Sequence, residues 1–236
     1  MSRYIFKPVL LLCVAVFLLS CGEAMPDFPF ASPLEQPRQP VSCSDILSPE
    51  LTKNPLPSDQ WTLEETVLWI QEAFGVDPKQ DTAASAPIQY LRWEHEGKTY
   101  TMSFYKGDSE GGVSMRWQNP PTVDEFLTCM GNPTHYDAWF DLTPEGLYPI
   151  LFLWYPKSGY IFDVYEYGRK RPTTITGSML MSAMWYVSPG SIEEVVARFY
   201  SSEIGSERHK QSMTRLKVWP GSLDKIMIDK ESSRNN

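Results

Sequence analysis

The chain has 236 residues with 21 basic and 29 acidic side chains, a formal net charge of −8, and is long enough for one substantial core or two small ones. That acidic balance speaks against a nucleic-acid partner, because phosphate recognition needs a basic footprint. Three His and four Cys, with no C-x-x-C, no H-E-x-x-H and no P-loop, imply neither a bound cofactor nor a metal.

Arg3 and Lys7 precede an apolar run from Val9 to Leu19. A basic n-region and an apolar stretch well short of the roughly 20 residues that span a bilayer read as a secretory signal over residues 1–20. Its end, Leu18-Leu19-Ser20-Cys21, resembles a bacterial lipobox, which implies a lipidated Cys21 at the mature N-terminus and an extracytoplasmic, membrane-anchored protein. An uncleaved anchor, or an ordinary signal with an incidental Cys, is the alternative. Residues 22–60 hold eight of the 20 prolines, which favour extended backbone over packed elements. Residues 21–60 are therefore expected to form a tether to about residue 42 and then an arm lying on the domain.

Cys13 departs with the signal and Cys21 is consumed by lipid, leaving Cys43 and Cys129. In an oxidising compartment the two are candidates for a disulfide closing a long loop. Two buried free thiols are the other outcome.

Three segments, Thr62-Leu-Glu-Glu65, Thr122-Val-Asp-Glu125 and Ser191-Ile-Glu-Glu194, fit the capping box S/T-x-x-E. Each opens an apolar stripe at helical spacing: Leu63, Val67, Ile70 and Phe74; Val123, Phe126, Leu127 and Met130; Ile192, Val195, Val196 and Phe199. Gly75 and Gly131 stand where helix-ending glycines are expected. Alternating or apolar stretches between the helices predict strands over 88–95, around 100–104 and 113–117, then 134–142, 149–155, 160–167 and 178–187. Residues 149–155 are apolar on both faces, which predicts a strand covered on both sides. The fold class is α+β: an antiparallel sheet of about seven strands built from two tandem helix–meander units, about 61–118 and 121–187, with helices packed on one face. A C-terminal helix completes a domain over 61–228, and the polar residues 229–236 form a fraying tail.

Thr122-Val-Asp-Glu-Phe-Leu-Thr-Cys-Met-Gly131-Asn-Pro133, followed by Leu151-Phe-Leu-Trp-Tyr-Pro156 and a hairpin, resembles the helix–Gly-x-Pro–strand unit of SmpA/BamE-type lipoproteins and of the β-lactamase-inhibitor-like fold. The resemblance covers about residues 121–167, with a weaker echo in 61–117, and implies a small helical layer on an antiparallel sheet. In general plan the chain is also similar to bacterial lipoproteins of this length.

Catalytic signals are sparse. Gly107-Asp-Ser109-Glu-Gly111 matches G-x-S-x-G, with Asp137, Asp163 and His209 following in the order a hydrolase triad requires. However, Ser109 lies between two alternating segments, where Gly, Asp and Ser are ordinary loop residues. Trp93-Glu94-His95-Glu96 reads as a solvated strand end, because adjacent strand residues point to opposite faces. Trp69, off the main stripe of its helix, and the cluster Tyr136, Trp139 and Phe140 are candidates for an exposed aromatic surface that contacts protein or glycan. Residues 21–168 hold eight basic and 22 acidic side chains, and 169–236 hold 11 and seven. The C-terminal excess either screens the rest of the domain or faces anionic lipid. Together these features indicate a membrane-anchored, non-enzymatic binding or scaffold domain with an unknown envelope partner. A glycan- or peptidoglycan-binding module is the alternative, and a serine hydrolase centred on Ser109 is the third reading.

Overall fold

A proline in the first turn of a helix loses no hydrogen bond and presets φ, and Pro49 is used in that way. In the computed structural model, which describes residues 41–54, 56, 62–82, 88–105, 108–143, 146–165 and 174–228, two short helices open the fold, α1 (Cys43–Ile46) and α2 (Pro49–Lys53). Both belong to the compact unit that begins at residue 40. Ile46 and Leu51 are fully buried, each contributing about 1.5–3 kcal/mol of apolar burial. Polar contacts hold the same segment: Trp117 Nε1 donates to the Ile46 carbonyl (2.9 Å) and the Tyr100 hydroxyl donates to Ser48 Oγ (3.0 Å).

Helix α3 (Leu63–Phe74) starts at Thr62 with both halves of the capping box formed and ends at Gly75, which adopts the left-handed region at φ +67°. Its inner stripe places Trp69, Ile70 and Phe74 in the core. Four strands follow: β1 (Lys79–Thr82), β2 (Ile88–His95), β3 (Lys98–Tyr105) and β4 (Asp108–Trp117). Helix α4 (Val123–Met130) is again capped reciprocally, by Thr122 and Glu125. It precedes β5 (His135–Thr143), β6 (Gly146–Tyr155), β7 (Tyr160–Tyr165) and β8 (Ala183–Tyr186). Helix α5 (Ile192–Phe199) carries the third box, and α6 (Glu207–Arg215), β9 (Lys217–Val218) and a 3₁₀ turn (Leu223–Lys225) complete the described chain. Among the described residues no helix is long and apolar enough to cross a membrane.

The strands form one nine-stranded sheet in the order β1-β2-β3-β4-β8-β7-β6-β5-β9, with every pair antiparallel. Two meanders thus meet last strand to last strand, through Val113 opposite Tyr186 and Met115 opposite Met184. The sheet has two strands more than the seven expected, and both lie at its edges. All four residues of β1 are exposed and β9 is two residues long. A strand without a buried face has no alternation to read.

Helices do not pack on one face only, and that expectation is corrected. In β6, Leu151, Leu153 and Tyr155 join the core shared with α1 to α4, while Phe152 and Trp154 point to a second core roofed by α5 and α6. A strand apolar on both sides needs cover on both sides, and the C-terminal helices supply the second layer. The expected strand over 178–187 is also shorter. Its first half runs instead along the start of α4, with Val123 N donating to Met179 O (2.9 Å) and Met181 N to Pro121 O (2.8 Å).

Candidate functional site

The stitching of the 174–181 loop to α4 builds one wall of an open cleft of about 460 Å³. Asp124 N donates to the Gly177 carbonyl (2.9 Å), and the Asp124 carboxylate lies so close to Gly177 that a Cβ there would collide with it. A side chain at 177 would require the Asp124 carboxylate to move aside. The opposite wall is the chain after β9. Trp219 N donates to Thr134 O (3.0 Å), its ring meets Tyr136 edge-on at 6.2 Å, and Asp224 follows in the 3₁₀ turn. The Ser222 hydroxyl bonded to Asp224 holds that carboxyl below its ordinary range.

Asp124, Asn132, Thr176, Ser222 and Asp224 supply polar atoms, and Leu127, Ile175, Trp219 and Leu223 supply apolar surface. No Lys, Arg or His is among the lining residues. The two carboxylates make the lining acidic, which favours a neutral or cationic ligand.

The sequence-derived candidates fall in several places. Cys21 lies outside the described residues. Cys43 and Cys129 are joined by a disulfide with an S–S distance of 2.01 Å and Cα atoms 5.3 Å apart, linking α1 to α4 beside the cleft. The aromatic surface is corrected: Trp69, Tyr136 and Trp139 are 7%, 2% and 6% exposed, and Phe140 is half-buried. Trp69 packs edge-on against Phe74 and Trp93. Trp139 stacks on Phe152 at 5.4 Å, with the Arg215 guanidinium 5.5 Å from its ring. Arg215 comes from α6, a helix with almost no apolar stripe, so the sequence offered no sign that this face would be covered. Trp219, half-buried in the cleft wall, is the ring that sequence reasoning missed. Its neighbours in the chain, Val218 and Pro220, carry no periodic signal.

Ser109 does not stand at a nucleophile elbow. It sits near the start of β4, opposite Phe104, and the strand runs on to Trp117, whereas an elbow places its Ser at a strand-to-helix turn. His209 is used structurally: Nδ1 accepts from Gly205 N (3.2 Å) and Nε2 bonds the Glu193 carbonyl (3.0 Å), tying α6 to α5. Asp137 is buried with Arg215 Nε 3.4 Å away. Burial pushes the Asp163 carboxyl up to about 6, against the opposing influence of the Ala183 backbone and Arg116. His135 Nδ1 meets Thr134 Oγ1 (2.9 Å), and burial lowers its pKa. His95 is not a solvated strand end. It is half-buried, edge-on to Phe74, with the carboxylates of Glu50 and Glu96 nearby. The basic run Arg169-Lys-Arg171 lies outside the described residues.

The chain matches no protein-family model, and comparison with characterised proteins and with solved structures finds no similar one.

Proposed function

We propose that this chain is a lipid-anchored, extracytoplasmic binding domain of the cell envelope, tethered through Cys21, with a protein or peptide partner docking in the cleft between α4 and residues 219–224. The supporting observation is the Cys43–Cys129 disulfide. Such a bond persists in an oxidising compartment, and it lies just downstream of a signal whose end reads as a lipobox. The bond also fastens Cys43 to the helix that forms one cleft wall. The acidic cleft favours a partner segment carrying Lys, Arg or a free amine. We also read residues 61–118 and 121–187 as two copies of one plan, a capped helix followed by a four-stranded meander, in keeping with the SmpA/BamE-type resemblance.

Two measurements test the reading. Cys21→Ala is expected to move the protein from the membrane to the soluble fraction, since each lost acyl CH₂ removes about 0.8 kcal/mol of anchoring. A mutant that still sediments after a carbonate wash removes the lipid anchor from the account. A photo-crosslinker at Asn132 is expected to give an adduct in cells that one at Gln71, exposed on α3, does not. The same products from both positions would sink the cleft as the docking surface.

A second reading has its own support. Trp219 beside two carboxylates and an amide is the composition of a sugar site, where a ring stacks on the sugar face and polar groups take its hydroxyls. Titration with soluble peptidoglycan fragments, wild type against Trp219→Ala, separates glycan from peptide.

A further inference from the structure

Away from the cleft, the fold gathers three potential ligands that are distant in sequence. His95 ends β2 and Glu96 follows it in the β2–β3 turn, where Glu96 and Gly97 adopt φ +47° and +71°. This turn rotates the Glu96 carboxylate out of strand alternation and back toward its neighbour, so its Oε1 lies 3.9 Å from His95 Nε2. From α2, Glu50 Oε1 reaches the same nitrogen, also at 3.9 Å. The three donor atoms all lie within 4.8 Å of one another.

Two of these ligands are held in place by their surroundings. Glu50 Oε2 accepts from Ser48 Oγ (2.9 Å), which in turn accepts from the Tyr100 hydroxyl (3.0 Å). That leaves Oε1 directed at the imidazole. Burial pushes the Tyr100 hydroxyl far above its usual range, so it stays a donor. The His95 ring is fixed edge-on against Phe74, 5.5 Å between centroids. Side chains that orient the ligands in this manner are the usual outer support of metal sites. The separations of 3.9 Å exceed direct hydrogen-bond length, as expected of ligands that face a common centre rather than one another.

We propose that Glu50, His95 and Glu96 form a divalent transition-metal site, best suited to zinc, that clasps α2 to the β2–β3 turn. One neutral imidazole and two carboxylates offer a mixed N/O donor set that suits Zn²⁺ better than the all-oxygen cations Mg²⁺ and Ca²⁺. Two carboxylate charges balance the dication, and a fourth position stays open to water because the cluster is only partly covered. Lys98 pairs with His95 across the hairpin and is 4% exposed; the alternative is that the carboxylates only offset its charge.

The test uses full-length, untagged protein in detergent, stripped with EDTA and titrated with ZnCl₂ against a chromophoric chelator. The expected result is one zinc per chain, with affinity reduced at least ~10-fold by His95→Ala or Glu50→Gln and unchanged by His135→Ala. Zinc should also raise the Tm of the wild type but not of Glu50→Gln. Glu50→Gln keeps the shape of the side chain and carries the test if His95→Ala fails to fold. Absence of saturable one-to-one binding, or equal affinity in wild type and Glu50→Gln, would overturn the proposal and leave the cluster as counter-charge to Lys98.

Discussion

Replacing both Cys43 and Cys129 with Ser removes the covalent link between α1 and α4. The cystine spans a sequence separation of 86. Loop-closure entropy for that length amounts to about 15 cal/mol/K, or ~4.6 kcal/mol at 25 °C, lost from the oxidised unfolded chain. For a protein of this size that corresponds to a Tm lower by roughly 10–15 °C. Ile46 and Leu51 remain buried in the mutant fold, so the native state should be little altered, and the effect should arise mainly in the unfolded ensemble. Urea unfolding of wild type and double mutant gives the number, and reduced wild type should match the mutant. Iodoacetamide labelling of the denatured, unreduced wild type should find neither Cys43 nor Cys129 free. A stability difference below about 1 kcal/mol, or labelling of both cysteines, would refute the reasoning.

Asp163 should give stability a distinctive pH dependence. Its carboxyl ionises at about 6 in the fold against an ordinary 3.8, so the unfolded chain releases this proton first as pH rises. The Asp163 contribution therefore falls between about pH 4 and pH 6 and stays low above that. Asp163→Asn should remove that slope and stabilise the protein at pH 7 by about 1–3 kcal/mol; parallel urea midpoints for both proteins from pH 4 to 7 would contradict this. Gly159→Ala should cost roughly 2–5 kcal/mol, because Gly159 has φ +74° and an added Cβ would collide with the Val187 carbonyl oxygen. A thermal shift within a degree of wild type would show that the turn can yield.

Helix starts and strand periodicity were readable because their causes are local. Thr62, Thr122 and Ser191 each bond their own N3 residue, and the seven inner strands each bury at least one face. α6 was not readable. Its buried positions are His209 and Ser212, and only Met213 and Leu216 next to it pack on the second core, so no apolar stripe announces it. The aromatic surface was misplaced for the same reason, since Trp139 is covered by Arg215 of α6, the helix that the pattern did not reveal. Among the candidate sites, the cleft depends on Asp124 meeting Gly177 and on Trp219 meeting Tyr136. Those contacts span dozens of residues and leave no trace in local spacing.

The sequence by itself determined the α+β class, the antiparallel meanders and the three capped helices, because hydroxyl-to-amide caps and side-chain alternation act within a few residues. Tertiary structure alone decided that two helices roof the far side of the sheet, that Ile46 and Leu51 are fully buried in the core, and that Glu50 comes to His95. Each of these depends on which distant surfaces bury one another, a choice settled by the whole chain's packing rather than by any one segment.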